Sequence, residues 1–277
     1  VSWIRCLCGV NDLVSITTQK EARNVRNLHF CYICGRPLNV GDVTNHDHVP
    51  PEAIFANQDR DFPLKLKTHL EPCHSSLNLD DEVIGQLLSL IHGKQPSARD
   101  DKLKLDIYKN VSTNNLLVSF NQRNIDSLVW RWVKGFHAAL YQSPLLDDSL
   151  HNIQTPFPSG AFKSGVFTPD PILEQHFKFV EVIKRNRSAK NLDCIESNNG
   201  KLRYECVWDQ LNDSSWICIF GLDLYGWKDL GDVKHFQPRG CVGVYRLDTG
   251  LAPSNASLAT KLDVHLHNID LADPFTP

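Results

Sequence analysis

The chain of 277 residues has no methionine, from which nothing functional follows, and no apolar run near the roughly eighteen residues that span a bilayer. No transmembrane helix is therefore expected. Val1 to Ile16 lacks a basic stretch leading into an apolar one, so a signal peptide is not expected either, and the expected location is cytoplasmic. Net charge is scarce too. A formal −3 excludes the strongly basic composition of many nucleic-acid binders, so contact with phosphate must rest on a local patch. There is no internal repeat. The nine cysteines are odd in number and scattered, which argues against the disulfide framework of a small secreted domain. Reduced thiols, a few of them metal ligands, are the expectation; Cys6 and Cys8 are taken as incidental.

What is present is concentrated between residues 31 and 82. Cys31-Tyr-Ile-Cys34, followed by Gly35, is a tight turn able to aim two sulfurs at one tetrahedral ion. A second cluster, His69-Leu-Glu-Pro-Cys73-His74, follows about forty residues on. Cys31, Cys34, His69 and Cys73 are the expected ligands of a structural zinc. The alternative is an empty site whose cysteines pack as small apolar residues.

Between these halves lies Asn45-His46-Asp47-His48-Val49-Pro50-Pro51. A neutral imidazole with a pKa near 6.5 can deprotonate water at neutral pH, and a neighbouring carboxylate is a hard oxygen ligand for Mg²⁺ or Mn²⁺. Adjacent side chains of a strand point to opposite faces. Asp47 and His48 can thus meet one phosphate only where the strand ends or bends, which Val49-Pro50-Pro51 would allow; His46 would share the face of His48. If a helix opens near Cys73, then His74, Asn78 and Glu82 fall on one face of it.

On these residues the segment resembles an HNH nuclease domain of the ββα-metal family. The resemblance implies a β-hairpin carrying Asp47 and His48, packed on a helix and stapled by zinc. It implies His48 as general base, Asp47 as ligand of a catalytic Mg²⁺ or Mn²⁺, His46 as an assisting group, and either His74 or Asn78 completing the metal shell. The chain departs from the family pattern at two places. Leu70 stands where a second Cys-x-x-Cys would have its first cysteine, and His74 stands where an asparagine usually follows the last one. The implied activity is metal-dependent hydrolysis of DNA, leaving 5′-phosphate and 3′-hydroxyl ends, with RNA as an alternative substrate and phage defence or restriction as settings. The rival reading is a zinc-stapled module that binds nucleic acid or protein without cutting.

The length and a hydrophobic content of 42% suit two domains with real cores. The expected class is α+β: an N-terminal segment (1–27), a ββα-metal nuclease core (28–95), a helical extension (96–150), a linker (151–171) and a β-rich accessory domain (172–277). From Asn124 to Tyr141 apolar residues recur at spacings of three and four, the stripe of an amphipathic helix. A second helix is expected over 172–183. Strands are expected over 202–208, 216–224 and 241–247, separated by turn signals such as Asn198-Asn199-Gly200. Candidate phosphate contacts are Lys65 and Lys67 near the motif, and Lys184, Arg185 and Arg187 in the accessory half. That half has no catalytic motif, and a protein partner or activating signal would act through it.

Overall fold

The computed structural model describes residues 13–75, 105–109, 116–120, 125–146, 149, 151–154, 160–163, 166–169, 171–212, 214–225, 241–248, 252–253 and 256–259. The fold is mixed α+β and rich in sheet. The chain divides into two compact units. One comprises Val1–Thr17, Asp148–Glu196 and Arg203–Pro277; the other comprises Thr18–Asp147 and Ser197–Leu202.

The first unit is built on a six-stranded sheet. Its strands are β1 (Ser15–Ile16), β6 (His151–Gln154), β9 (Asp193–Ser197), β10 (Leu202–Asn212), β11 (Ser215–Leu224) and β12 (Cys241–Leu247), in the order β1-β9-β10-β11-β12-β6. β1 pairs with β9 in parallel, while β11–β12 and β12–β6 are antiparallel. Alternation along the strands gives the sheet two apolar faces. Val207, Ile217, Ile219, Val242 and Val244 pack under the helix Pro171–Ser188 through its Phe179, Val182 and Ile183. Tyr204, Trp208, Phe220 and Tyr245 are fully buried on the opposite face, with Trp208 meeting Tyr245 edge-on at 5.4 Å. Asp193, also fully buried, accepts from the amides of Val14 and Ser257 and from the Ser257 hydroxyl. One carboxylate thus ties the first strand to the C-terminal segment.

Residues 151–171, expected as a linker, hold strands instead. β6 is an edge of the main sheet, and β7 (Gly160–Lys163) pairs with β8 (Val166–Pro169). Of the residues that suggested a linker, Gly160 opens β7 and Pro169 closes β8, positions that a two-stranded pair tolerates. The expected accessory strands form at their sites, and the 172–183 helix extends to Ser188. Asn198, Asn199 and Gly200 all have positive φ, the backbone that Asn and Gly adopt most readily.

In the second unit, β2 (Thr44–His48) and β3 (Lys65–His69) form an antiparallel pair, with Asp47 opposite Leu66 and His48 opposite Lys65. A second pair, β4 (Leu105–Lys109) with β5 (Leu116–Phe120), lies in the segment expected to be a helical extension. α1 (Gln19–Asn24) opens on a capping box between Thr18 and Glu21. The expected amphipathic helix forms as α2 (Ile125–Tyr141), and the helix Pro171–Ser188 is then α3.

α2 differs from its expected one-sided stripe: every residue from Leu128 to Tyr141 is buried, Arg131, Lys134 and His137 included. Such burial is tolerable only with partners. Lys134 Nζ donates to the carbonyl of Ile33, and His137 Nε2 lies 3.1 Å from Ser143 Oγ. Burial pushes the His137 imidazole down to about 3, so it stays neutral.

Candidate functional site

The Cys31–Cys34 turn is closed by the Gly35 amide, which donates to the Cys31 carbonyl at 2.8 Å, with Gly35 at φ +73°. Glycine takes that conformation at no steric cost, since it has no Cβ. A bond from Cys31 N to Arg36 O at 2.9 Å holds the knuckle's far side. The other half is delivered by β3, which ends at His69, and by the wound segment Leu70–His74 that follows it. The Leu70 amide donates to Val43 O at 2.9 Å, fixing that segment beside the start of β2.

The sulfurs of Cys31, Cys34 and Cys73 and a ring nitrogen of His69 all lie within 4.8 Å of one another. With metal–sulfur bonds of about 2.3 Å, tetrahedral thiolates stand about 3.8 Å apart, so these four side chains can hold a metal ion such as zinc. His69 presents Nδ1 to Cys34 Sγ at 3.5 Å and turns Nε2 towards Asp42 Oδ2, also at 3.5 Å. A carboxylate behind a histidine ligand fixes its tautomer and ring orientation.

The thiols are unequal. Burial raises Cys34, but hydrogen bonds with Arg36, His69 and Cys31 outweigh it and bring the group down to about 6. Burial, with the neighbouring thiols of Cys31 and Cys34, pushes Cys73 up to about 12. Three sulfurs and an imidazole nitrogen converging on one point form a soft donor set that suits a cation such as zinc.

The Asp-His motif occupies the end of β2. Asp47 is 4% exposed; the Tyr32 hydroxyl donates to its Oδ2, while its Oδ1 faces His74 Nδ1 at 3.9 Å. That gap is too long for a hydrogen bond. It falls inside the span of about 4.2 Å open to two ligands each about 2.1 Å from one ion. The pleat sends His46 and His48 to the other side of the strand pair, level with Lys67 and Lys65. His48 Nε2 lies 3.7 Å from Glu52 Oε2, and Glu52 Oε1 lies 3.9 Å from Arg60.

Among the described residues His46 Nε2, His48 Nε2 and His74 Nδ1 are buried without a hydrogen-bond partner. Burial lowers both strand histidines. Lys65 adds to the effect at His48, partly opposed by Glu52 and Asp47; Arg26, Lys67 and Lys65 add to it at His46.

The structure therefore brings the four expected zinc ligands together, and sets Asp47 against His74. Asn78, the expected alternative to His74, and Glu82, together with the helix expected to carry them, lie outside the described residues, as do Cys6 and Cys8. Lys184, Arg185 and Arg187 belong to α3 of the other unit. There Arg187 is engaged by the buried Glu205 and Lys184 by Glu181 at 3.2 Å, and all three cations are exposed.

Sequence reasoning missed Tyr32, Asp42, Glu52 and Arg26. Glu52 meets His48 across the Val49-Pro50-Pro51 turn, where a spacing of four has no helical meaning. The placement of Asp42 and Tyr32 depends on the β2–β3 register and the knuckle's orientation, for which the sequence has no local signal. No family model, curated protein or solved structure matches the chain. No helix among the described residues is long and apolar enough to cross a membrane.

Proposed function

We propose that the chain is a metal-dependent endonuclease of the HNH type, hydrolysing phosphodiester bonds in DNA, with its nuclease core in a ββα-metal arrangement that begins with β2 and β3. The observation that carries this reading is the pairing of Asp47 Oδ1 with His74 Nδ1 across 3.9 Å. Asp47 is buried and His74 half-buried, and the pair adjoins a separate thiol–imidazole cluster. A lone surface Asp–His pair would lack both the burial of Asp47 and the neighbouring thiol–imidazole cluster.

Asp47 and His74 are the residues that would hold the catalytic ion, with Asn78 a further candidate from the sequence. A bound Mg²⁺ or Mn²⁺ would neutralise charge on the scissile phosphate and on the departing 3′ oxygen. A nitrogen ligand shifts preference from Mg²⁺ towards Mn²⁺ and later transition ions. β2 ends at His48, and a phosphate lying across that end, beside Val49-Pro50-Pro51, would be reached from both faces of the strand pair; there His48 takes a proton from the attacking water as its oxygen bonds to phosphorus. The P–O3′ bond breaks, and the 3′ oxygen is protonated from solvent, leaving 5′-phosphate and 3′-hydroxyl. Glu52, 3.7 Å from His48 Nε2, orients the imidazole. Lys65, Lys67 and Arg26 lie around His46 and His48 and supply charge for the flanking phosphates. His46 is a second phosphate contact on that face.

The test is plasmid cleavage by the wild type and His48→Ala, with EDTA, Mg²⁺ or Mn²⁺, and zinc assayed on the same samples. Metal-dependent cutting that drops by about a hundredfold or more in the variant, with zinc retained in both, is expected. DNA binding without cutting under any metal would overturn the reading in favour of a zinc-stapled binding module. Matched DNA and RNA strands decide the substrate, and restriction and phage defence remain the settings in which such a cutter would serve.

A further inference from the structure

Tyr32 lies inside the knuckle, between the ligands Cys31 and Cys34, yet its hydroxyl is spent outside the knuckle, on Asp47 Oδ2. The side chain is fully buried. Its ring is pressed by α2: a Cβ placed on Gly135 would stand 3.3 Å from Tyr32 Cε2. The preceding helix residue, Lys134, donates to the carbonyl of Ile33, the knuckle's other middle residue. Backbone and ring are thus both fixed, and the phenol has little freedom except through the knuckle itself. A carboxylate with one oxygen held in this way is committed in rotation, and the oxygen left over, Oδ1, is the one that faces His74.

We propose that Tyr32 is a positioning residue for the catalytic ion site, carrying the geometry of the Cys31–Cys34 knuckle to Asp47. The proposal rests on the reading of Asp47 as an ion ligand. Outer partners of ligand groups typically change metal affinity by 10- to 100-fold when removed. Tyr32→Phe deletes one oxygen and keeps the packed ring, so the fold and the zinc cluster are expected to survive.

The experiment is Mn²⁺ binding, followed by electron paramagnetic resonance, on zinc-loaded wild type, Tyr32→Phe and Asp47→Ala, with zinc content and thermal unfolding measured alongside. Mn²⁺ binding weakened about tenfold in Tyr32→Phe and nearly abolished in Asp47→Ala, at unchanged zinc content, is the expected result. Cleavage by Tyr32→Phe should then recover at saturating Mn²⁺, since the loss is in affinity. Wild-type Mn²⁺ affinity in Tyr32→Phe, with Asp47→Ala still defective, would overturn the role of Tyr32 and leave the reading of Asp47 standing. Equal Mn²⁺ binding by the wild type and Asp47→Ala would overturn both. Loss of zinc or of the fold in Tyr32→Phe would also overturn the proposal, because the hydroxyl would then be serving the knuckle.

Discussion

Gly135→Ala sets two effects of opposite sign against each other at the point where α2 meets the end of β2. In an open helix the substitution would stabilise by about 1 kcal/mol, the difference in helix propensity. Here the new Cβ would lie 2.6 Å from Val49 Cγ1 and 3.1 Å from Val49 Cγ2. Carbon atoms prefer about 3.5–4.0 Å, so the nearer overlap is close to 1 Å. Rotation about χ1 cannot clear both methyls, because a β-branched side chain always keeps two γ atoms near its backbone. The backbone has little slack either, since Val49 N donates to Leu64 O at 3.0 Å. Overpacking of this kind costs about 1–3 kcal/mol, and the absence of an escape route places it near the upper end. The net expectation is destabilisation by about 1–2 kcal/mol.

Urea unfolding of four proteins closes the argument: wild type, Gly135→Ala, Val49→Ala and the double variant, all with the same zinc content. In the Val49→Ala background the obstructing methyls are gone and only the contact with Tyr32 Cε2 at 3.3 Å remains, so Gly135→Ala should cost much less than in the wild type. A double-mutant cycle should then return a coupling of at least about 1 kcal/mol. Equal cost of Gly135→Ala in both backgrounds, or a gain in the wild-type background, would refute the steric reasoning.

Three further outcomes follow from the geometry. Asp42→Asn should weaken zinc binding by about tenfold or more while leaving stoichiometry intact, read by competition with a chelating dye; unchanged affinity would mean that the His69–Asp42 contact orients nothing. His137 is neutral in the fold and its proton affinity is depressed from 6.5 to about 3, so its contribution is complete above pH 6.5 and is lost as pH falls towards 3, by at most about 5 kcal/mol. Thermal unfolding of His137→Gln should accordingly depend less on pH than that of the wild type between pH 6.5 and 4.5, and identical slopes would contradict the buried neutral state. Gly243→Ala should cost about 2–4 kcal/mol in denaturant unfolding, because the new Cβ would stand 2.6 Å from both the Asn152 carbonyl oxygen and the Phe220 ring; a cost below about 0.5 kcal/mol would show that the strand can shift.

The parts legible in the sequence are those fixed by local chemistry. Cys31, Cys34 and Cys73 announce themselves by type, and His69 follows from its place beside the second cluster. α2 was readable from its apolar repeat, because a helix face is written within a few turns. Its full burial was not, since Arg131, Lys134 and His137 read as a solvent face until Lys134 is seen donating to Ile33 O. Tyr32 was missed for a similar reason: its partner is fifteen positions away, and they meet through the orientation of the knuckle against β2, which no local pattern encodes. The strands β6 to β8 were hidden by their own turn residues, which mark a short hairpin and a linker alike.

The pairing of Ser15–Ile16 with β9 also bears on how the protein can be made and divided. A ribosome delivers that edge strand first, then the whole stretch Thr18–Asp147, before any of its sheet neighbours. The intervening unit can begin to organise during synthesis, while the strand beside Cys194 and Ile195 waits for a partner almost 180 residues downstream. A gene fragment cut at residue 148 would lose that strand, together with the bond from the Val14 amide to Asp193. To express the sheet unit by itself, Val1–Thr17 has to be kept together with the part that begins at Asp148, which a simple truncation does not do.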